Sequence, residues 1–197
     1  MTEASAPQTL DVDDDRTVAR PQHVGLALVA LALGGFAIGT TEFVTMGLLP
    51  QIADGVQISI PAAGHVVSAY ALGVVIGAPL IATLAARAPR RAQLVGLMVA
   101  FAAANIASAL AGSYGTLMVA RFLSGLPHGA YFGIGSVVAA SLVAPHRRTW
   151  AVSMMLAGLT VANIIGVPLS TVLGQQLGWQ YPYVFVGLIS CLLYTSD

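Results

Sequence analysis

Charge is scarce in this chain, and one kind of charge is missing. Only 8% of the 197 residues are Asp, Glu, Lys or Arg, and all eight basic residues are arginine, with no lysine anywhere. A soluble domain carries about a quarter charged residues, so the composition excludes that class and leaves an integral membrane protein. The single cysteine, Cys191, has no second thiol for an intramolecular disulfide and no ligand cluster around it, which argues against redox chemistry and structural metal and leaves a lipid-facing or packing role. Also absent are a phosphate-binding glycine loop with lysine, a His-Glu-x-x-His pair and a Gly-x-Ser-x-Gly elbow, so no enzyme and no cofactor is expected. Nucleic-acid binding has no basic footprint. The amino end lacks the early basic residues and short apolar core of a secretory signal.

What is present is apolar: 57% hydrophobic residues and a mean hydropathy of +0.83. Residues 1–23 are polar, hold Asp11, Asp13, Asp14 and Asp15, and read as a disordered tail. Residues 24–193 read as a six-helix transmembrane unit. Its spans are Val24–Leu49, closed by Pro50; Ala62–Ala86 with Pro79 inside; Ala92–Ala111; Tyr114–Val143; Trp150–Leu177 with Pro168 inside; and a sixth from Tyr183. The stretch Gln51–Pro61 reads as a loop. The sixth span offers only about eleven apolar residues before residues 194–197, short of the ~20 that cross a bilayer, so an abrupt, truncated or non-native end is expected there. Seven of the eight arginines fall in the tail, the second-to-third loop (Arg87, Arg90, Arg91) and the fourth-to-fifth loop (Arg147, Arg148). The positive-inside rule makes those segments, and the amino terminus, cytoplasmic.

The eighth arginine is the informative one. Arg121 lies inside the fourth span with His128 two turns on, and both share a helix face threaded by Gly125 and Gly129. An arginine in a membrane helix costs at least ~2.5 kcal/mol, so it needs a partner, a wet cavity or the interface. The one acid within the spans, Glu42, lies ~12 Å below the outer end of span one, and Arg121 ~9 Å below the outer end of span four. At similar depth the two are expected to meet or to share a cavity, either as a proton-coupling or substrate site or as an ion pair fixing helix register. His128 could bind solute, relay a proton, or make a helix-to-helix hydrogen bond. Tyr131, Phe132 and Asn163 are weaker cavity candidates, and Asn105 reads as glue between helices.

Two segments repeat: IGAPLIATL at 76–84 and IGVPLSTVL at 165–173, which match Gly77 with Gly166 and Pro79 with Pro168. They lie in the second and fifth spans, which run in opposite directions. That is the pattern of a 3+3 inverted-topology repeat, in which Gly166, Pro79 and Pro168 serve bends and packing, and a proline-interrupted helix in corresponding places of two halves points to a transporter.

The stretches GTTEFVTMGLLPQIA (39–53), ISIPAAGH (58–65), YALGVVIGAPLIA (70–82), RFLSGLPHGAYFGIGS (121–136) and GLTVANIIGVPL (158–169) together resemble the major facilitator superfamily. Within it, they resemble the AraJ-like sugar (arabinose) efflux transporters of the drug:proton antiporter group. The resemblance covers about 25–190 and implies an all-α membrane fold, the amino-terminal six-helix half of a twelve-span carrier. It further implies alternating access around a cavity lined by spans one and four, proton-driven efflux of sugars or small drug-like solutes, a bacterial inner-membrane location, and a carboxy-terminal half as partner. The family's cytoplasmic loop motif, Gly-x-x-x-Asp-Arg-x-Gly-Arg-Arg, is matched at Arg87, Arg90 and Arg91, while Ala82, Ala86 and Pro89 replace its glycines and aspartate. Ser124 stands where the fourth-span motif has glutamine, and Val167-Pro168 stands for the antiporter Gly-Pro pair. The alternative class is a non-transporting six-helix membrane module that needs a partner half.

Overall fold

The computed structural model describes residues 21–85 and 87–192. The expected tail 1–23 and the end 194–197 fall largely or wholly outside them. Among the described residues every regular element is helical: α1 (Pro21–Gly47), α2 (Leu49–Gly55), α3 (Ile60–Leu84), α4 (Arg90–Ala109), α5 (Tyr114–Ser141), a 3-10 turn (Pro145–Arg147), α6 (Arg148–Val161), a π turn (Ala162–Gly166), α7 (Val167–Leu177) and α8 (Gln180–Leu192). Among the described residues four stretches are long and apolar enough to cross a membrane by length and composition: Val24–Gly47, Ile60–Leu84, Arg90–Ala109 and Pro145–Leu177. The 28-residue α5, which carries Arg121, is of spanning length and runs among them, and α8 packs on α4, α1 and α7.

Local chemistry sets the helix ends. Ser59 caps α3 by accepting from the Ala62 amide, and Ser113 with Thr116 closes a reciprocal capping box at the start of α5. Gly178 ends α7 with a φ of 125°, a backbone that L side chains rarely adopt. One boundary corrects the sequence reading. Pro50 does not close the first span into a loop; it sits in the first turn of α2, where a proline's missing N–H costs nothing, and the expected loop 51–61 begins as helix through Gly55.

The bundle is two triplets, α1–α3–α4 and α5–α6/α7–α8, that exchange partners. α3 packs along α5, the first helix of the other triplet, and α6 packs along α1 in the same way. Both seams hold glycines set against backbone or side chains of the facing helix. A Cβ on Gly73 would strike Phe122 O, one on Gly77 would strike Leu126 O, and one on Gly125 would strike Tyr70 O. On the other side a Cβ on Gly158 would strike Ala32 O, and one on Gly166 would meet Thr40 Oγ1 and Phe36. Gly77 and Gly166 are the matched glycines of the two sequence repeats, and each presses on the leading helix of the opposite triplet. Glycine here is what allows the helices to approach to contact. The two copies differ in one respect: α3 continues unbroken past Pro79, whereas the segment before Pro168 is the π turn.

Buried side chains form two cores. One, around Leu31, Ile38, Phe101, Tyr131 and Met155, fills the half of the bundle nearer the arginine loops. The other, around Val44, Leu48, Ile52, Val66, Leu117, Trp179 and Tyr183, fills the opposite end beneath α2. Arg121 and its neighbours lie where the two meet.

Candidate functional site

Arg121 is fully buried, 0% exposed, on the third turn of α5. Its guanidinium carbon lies 4.3 Å from the centre of the Tyr70 ring of α3 and 5.3 Å from that of Tyr183 of α8. Two aromatic faces, which carry negative quadrupole density, thus flank the cation in a dry site. Nε and Nη1 are buried and find no hydrogen-bond acceptor. Glu42, half-buried on α1, stands near enough to act electrostatically on this cluster, yet the two charges are not closed into an ion pair. The expected meeting of carboxylate and guanidinium is therefore a shared neighbourhood, with tyrosine rings taking the contact positions.

Each tyrosine is held in place by its hydroxyl. The Tyr70 hydroxyl is 2.8 Å from His128 Nδ1 on α5. His128 thus makes a helix-to-helix hydrogen bond in this structure, one of the roles left open by the sequence. Its ring also meets Phe132 edge-on, with centroids 5.3 Å apart. Tyr183 Oη lies 3.0 Å from Thr45 Oγ1, and because Thr45 gives its own proton to Thr41 O, the tyrosine hydroxyl is the donor. Both rings keep a satisfied polar tip and turn an apolar body to the cation. Neither Tyr70 nor Tyr183 was singled out from sequence. The available signal was a tyrosine hydroxyl deep in an apolar run, which must find a partner.

The other candidates divide. Tyr131 is 2% exposed and donates to Leu31 O at 2.9 Å, spanning α5 to α1, and Gly34 leaves the space that its hydroxyl occupies. Asn163, in the π turn, is exposed and donates to Leu159 O within its own segment, so it stands apart from the arginine cluster on an outer face with Ile164 and Ile165. Asn105 does not bridge helices as expected: its amide nitrogen bonds Phe101 O one turn back on α4, and the side-chain oxygen is buried without a partner. Gly125 and Gly129 lie on the α3 seam, Pro79 and Pro168 are exposed, and Arg87, Arg90 and Arg91 are exposed at the far end of the bundle. Cys191 is exposed. No group of three or more His, Cys, Asp or Glu among the described residues could hold a metal.

Chemically, this is an uncancelled cation with idle donors beside a lone carboxylate, enclosed by helices from both triplets. The sequence profile of the Major Facilitator Superfamily matches residues 31–195. This chain belongs to that superfamily. Among its relatives, the inner membrane transport protein YdhP of Escherichia coli (strain K12) is 53% identical over 161 residues, which is 82% of this chain and 41% of that protein. "Putative transporter AraJ" of the same organism is 42% identical over 86% of this chain and 43% of its own length. A chloramphenicol resistance protein of Streptomyces lividans is 38% identical over 85% of this chain and 42% of its own length. In fold, the superfamily's proton:xylose symporter XylE, bound to 6-bromo-6-deoxy-D-glucose, matches with a TM-score of 0.77 at 20% identity, over 91% of this chain and 46% of that one. The chain thus spans about two fifths of the length of the curated relatives it matches, and its six helices have the architecture of the amino-terminal half of a superfamily member.

Proposed function

We propose that this chain supplies the amino-terminal half of a secondary active transporter in the bacterial inner membrane. The amino terminus is cytoplasmic, and the carrier exports sugars or small drug-like solutes against inward proton flow. The observation that carries this reading is Arg121, buried with two donors unmet and no carboxylate in contact, beside Glu42 as the one acid in the described spans. A structural ion pair would be closed; an open one has capacity to exchange partners. In this scheme Glu42 takes up and releases the coupled proton, and Arg121 is the fixed countercharge that competes for the carboxylate. Through Tyr70, His128 aligns the arginine, while Tyr131 ties α5 to α1. Asn163 offers its exposed amide to solute or to the second half. The bilayer, the solute and a carboxy-terminal six-helix half are the partners; the energy source is the proton gradient, with no cofactor and no enzymatic step.

The test is flux into inverted vesicles holding the full-length gene product, with and without an imposed pH gradient. Gradient-dependent accumulation of a labelled sugar or drug-like solute supports the reading. Accumulation that ignores the gradient removes the proton coupling, and no accumulation of either class of solute leaves a non-transporting membrane module.

A further inference from the structure

Glycines recur on one face of α5 at Gly125, Gly129 and Gly133, but the neighbouring helix explains only the first two. A Cβ on Gly125 would strike Tyr70 O, and one on Gly129 would lie 2.8 Å from Val74 O. A Cβ on Gly133 would meet nothing within 4 Å. The seam between α3 and α5 therefore opens after Gly129 towards the arginine loops. The resulting cavity, about 460 Å³, is floored by Ala78, Ala82, Gly129 and Gly133 and rimmed by Arg90 and Gln93. Ala82, Gly133 and Val137 are exposed, so the gap opens on the surface of the described bundle. Its floor is apolar and its polar side chains, Arg90 and Gln93, stand at the rim, the division that a lipid's chain and headgroup require.

The rim is held in place. Gln93 Nε2 donates to Ala85 O and, at 2.8 Å, to Ala88 O, which pins the loop that carries Arg87 beside the start of α4. Arg90 also borders a second crevice, about 280 Å³, lined by Leu31, Leu94 and Met98 between α1, α4 and α5. Pro89 precedes α4 without a side-chain cap, and the first turn brings arginines and no acid. The described acids, Glu42 and Asp54, belong to the opposite half of the bundle.

We propose that this end is a seat for one anionic phospholipid of the cytoplasmic leaflet, with its phosphate on Arg90 and Arg87 and an acyl chain in the gap over Gly133. The site rests on the membrane orientation proposed above and is independent of transport. It is tested on the full-length carrier in mild detergent by native mass spectrometry, against equimolar phosphatidylglycerol and phosphatidylcholine with the same chains. The carrier is expected to retain phosphatidylglycerol preferentially, and Arg90→Gln to weaken that retention about fivefold, the factor for one basic residue at an anionic surface. Gly133→Leu, which fills the gap at unchanged charge, is expected to abolish retention while the thermal midpoint holds. Equal retention of the two lipids overturns the proposal. So does retention that survives Gly133→Leu but is displaced by inorganic phosphate, which marks a phosphate site without a chain. A Gly133→Leu carrier that unfolds early and whose parent holds no lipid overturns it too, because another helix then fills the gap.

Discussion

Replacing Arg121 with methionine separates function from stability. The arginine's two buried donors without acceptors cost about 1–3 kcal/mol each, or roughly 2–6 kcal/mol together. Against this stand two aromatic contacts, at 4.3 and 5.3 Å, worth about 2 kcal/mol each in a desolvated site. Methionine is unbranched and adaptable enough to lie between the same two rings. The balance predicts that Arg121→Met changes the stability of the folded state by no more than about 2 kcal/mol in either direction. Thermal unfolding of the full-length carrier in detergent measures this, and vesicle flux measured beside it should fall to background. A loss of about 3–5 kcal/mol would refute the reasoning, since that is the cost of breaking a closed buried pair, here one with Glu42. Unchanged flux would show that the cation is dispensable to transport.

Glu42→Gln is expected to insert and fold normally but to lose the gradient-driven component of efflux, and wild-type response to a pH gradient would remove Glu42 from coupling. Tyr183→Phe deletes the donation to Thr45, whose own proton stays on Thr41 O, so unfolding experiments should show a cost of about 1 kcal/mol with transport retained. Gly125→Val must part α3 from α5 at Tyr70 O and should lower stability by about 1–3 kcal/mol or block folding. Gly64→Ala, with nothing within 4 Å of the new Cβ, should be neutral or stabilising by up to about 1 kcal/mol on the same thermal assay.

Much of the architecture was legible because membrane helices announce themselves by length, and because the repeated Ile-Gly-x-Pro-Leu carries its own symmetry. The glycine that the pattern marks in each copy is among those pressed against the opposite triplet. Depth was legible too: counting residues from the span ends remote from the arginine loops brought Glu42 and Arg121 to one neighbourhood. What fills the space between them was not. Tyr70 and Tyr183 lie in apolar runs far from Arg121 in sequence, where an aromatic looks like core, and only the folded bundle brings their faces to the guanidinium. Pro50 misled because proline both ends and begins helices, and its place in the first turn of α2 depends on the turn at Leu48 before it. Asn105 misled because the amide nitrogen of a helical asparagine can donate one turn back along its own helix instead of across to another.

The contacts of Gly77 on α5 and of Gly158 on α1 have a mechanical corollary. Where main chain rests on main chain there are no rotamers to rearrange, and a close-packed joint of that kind transmits strain. Each helix pair so joined is expected to move as one body in the full-length protein.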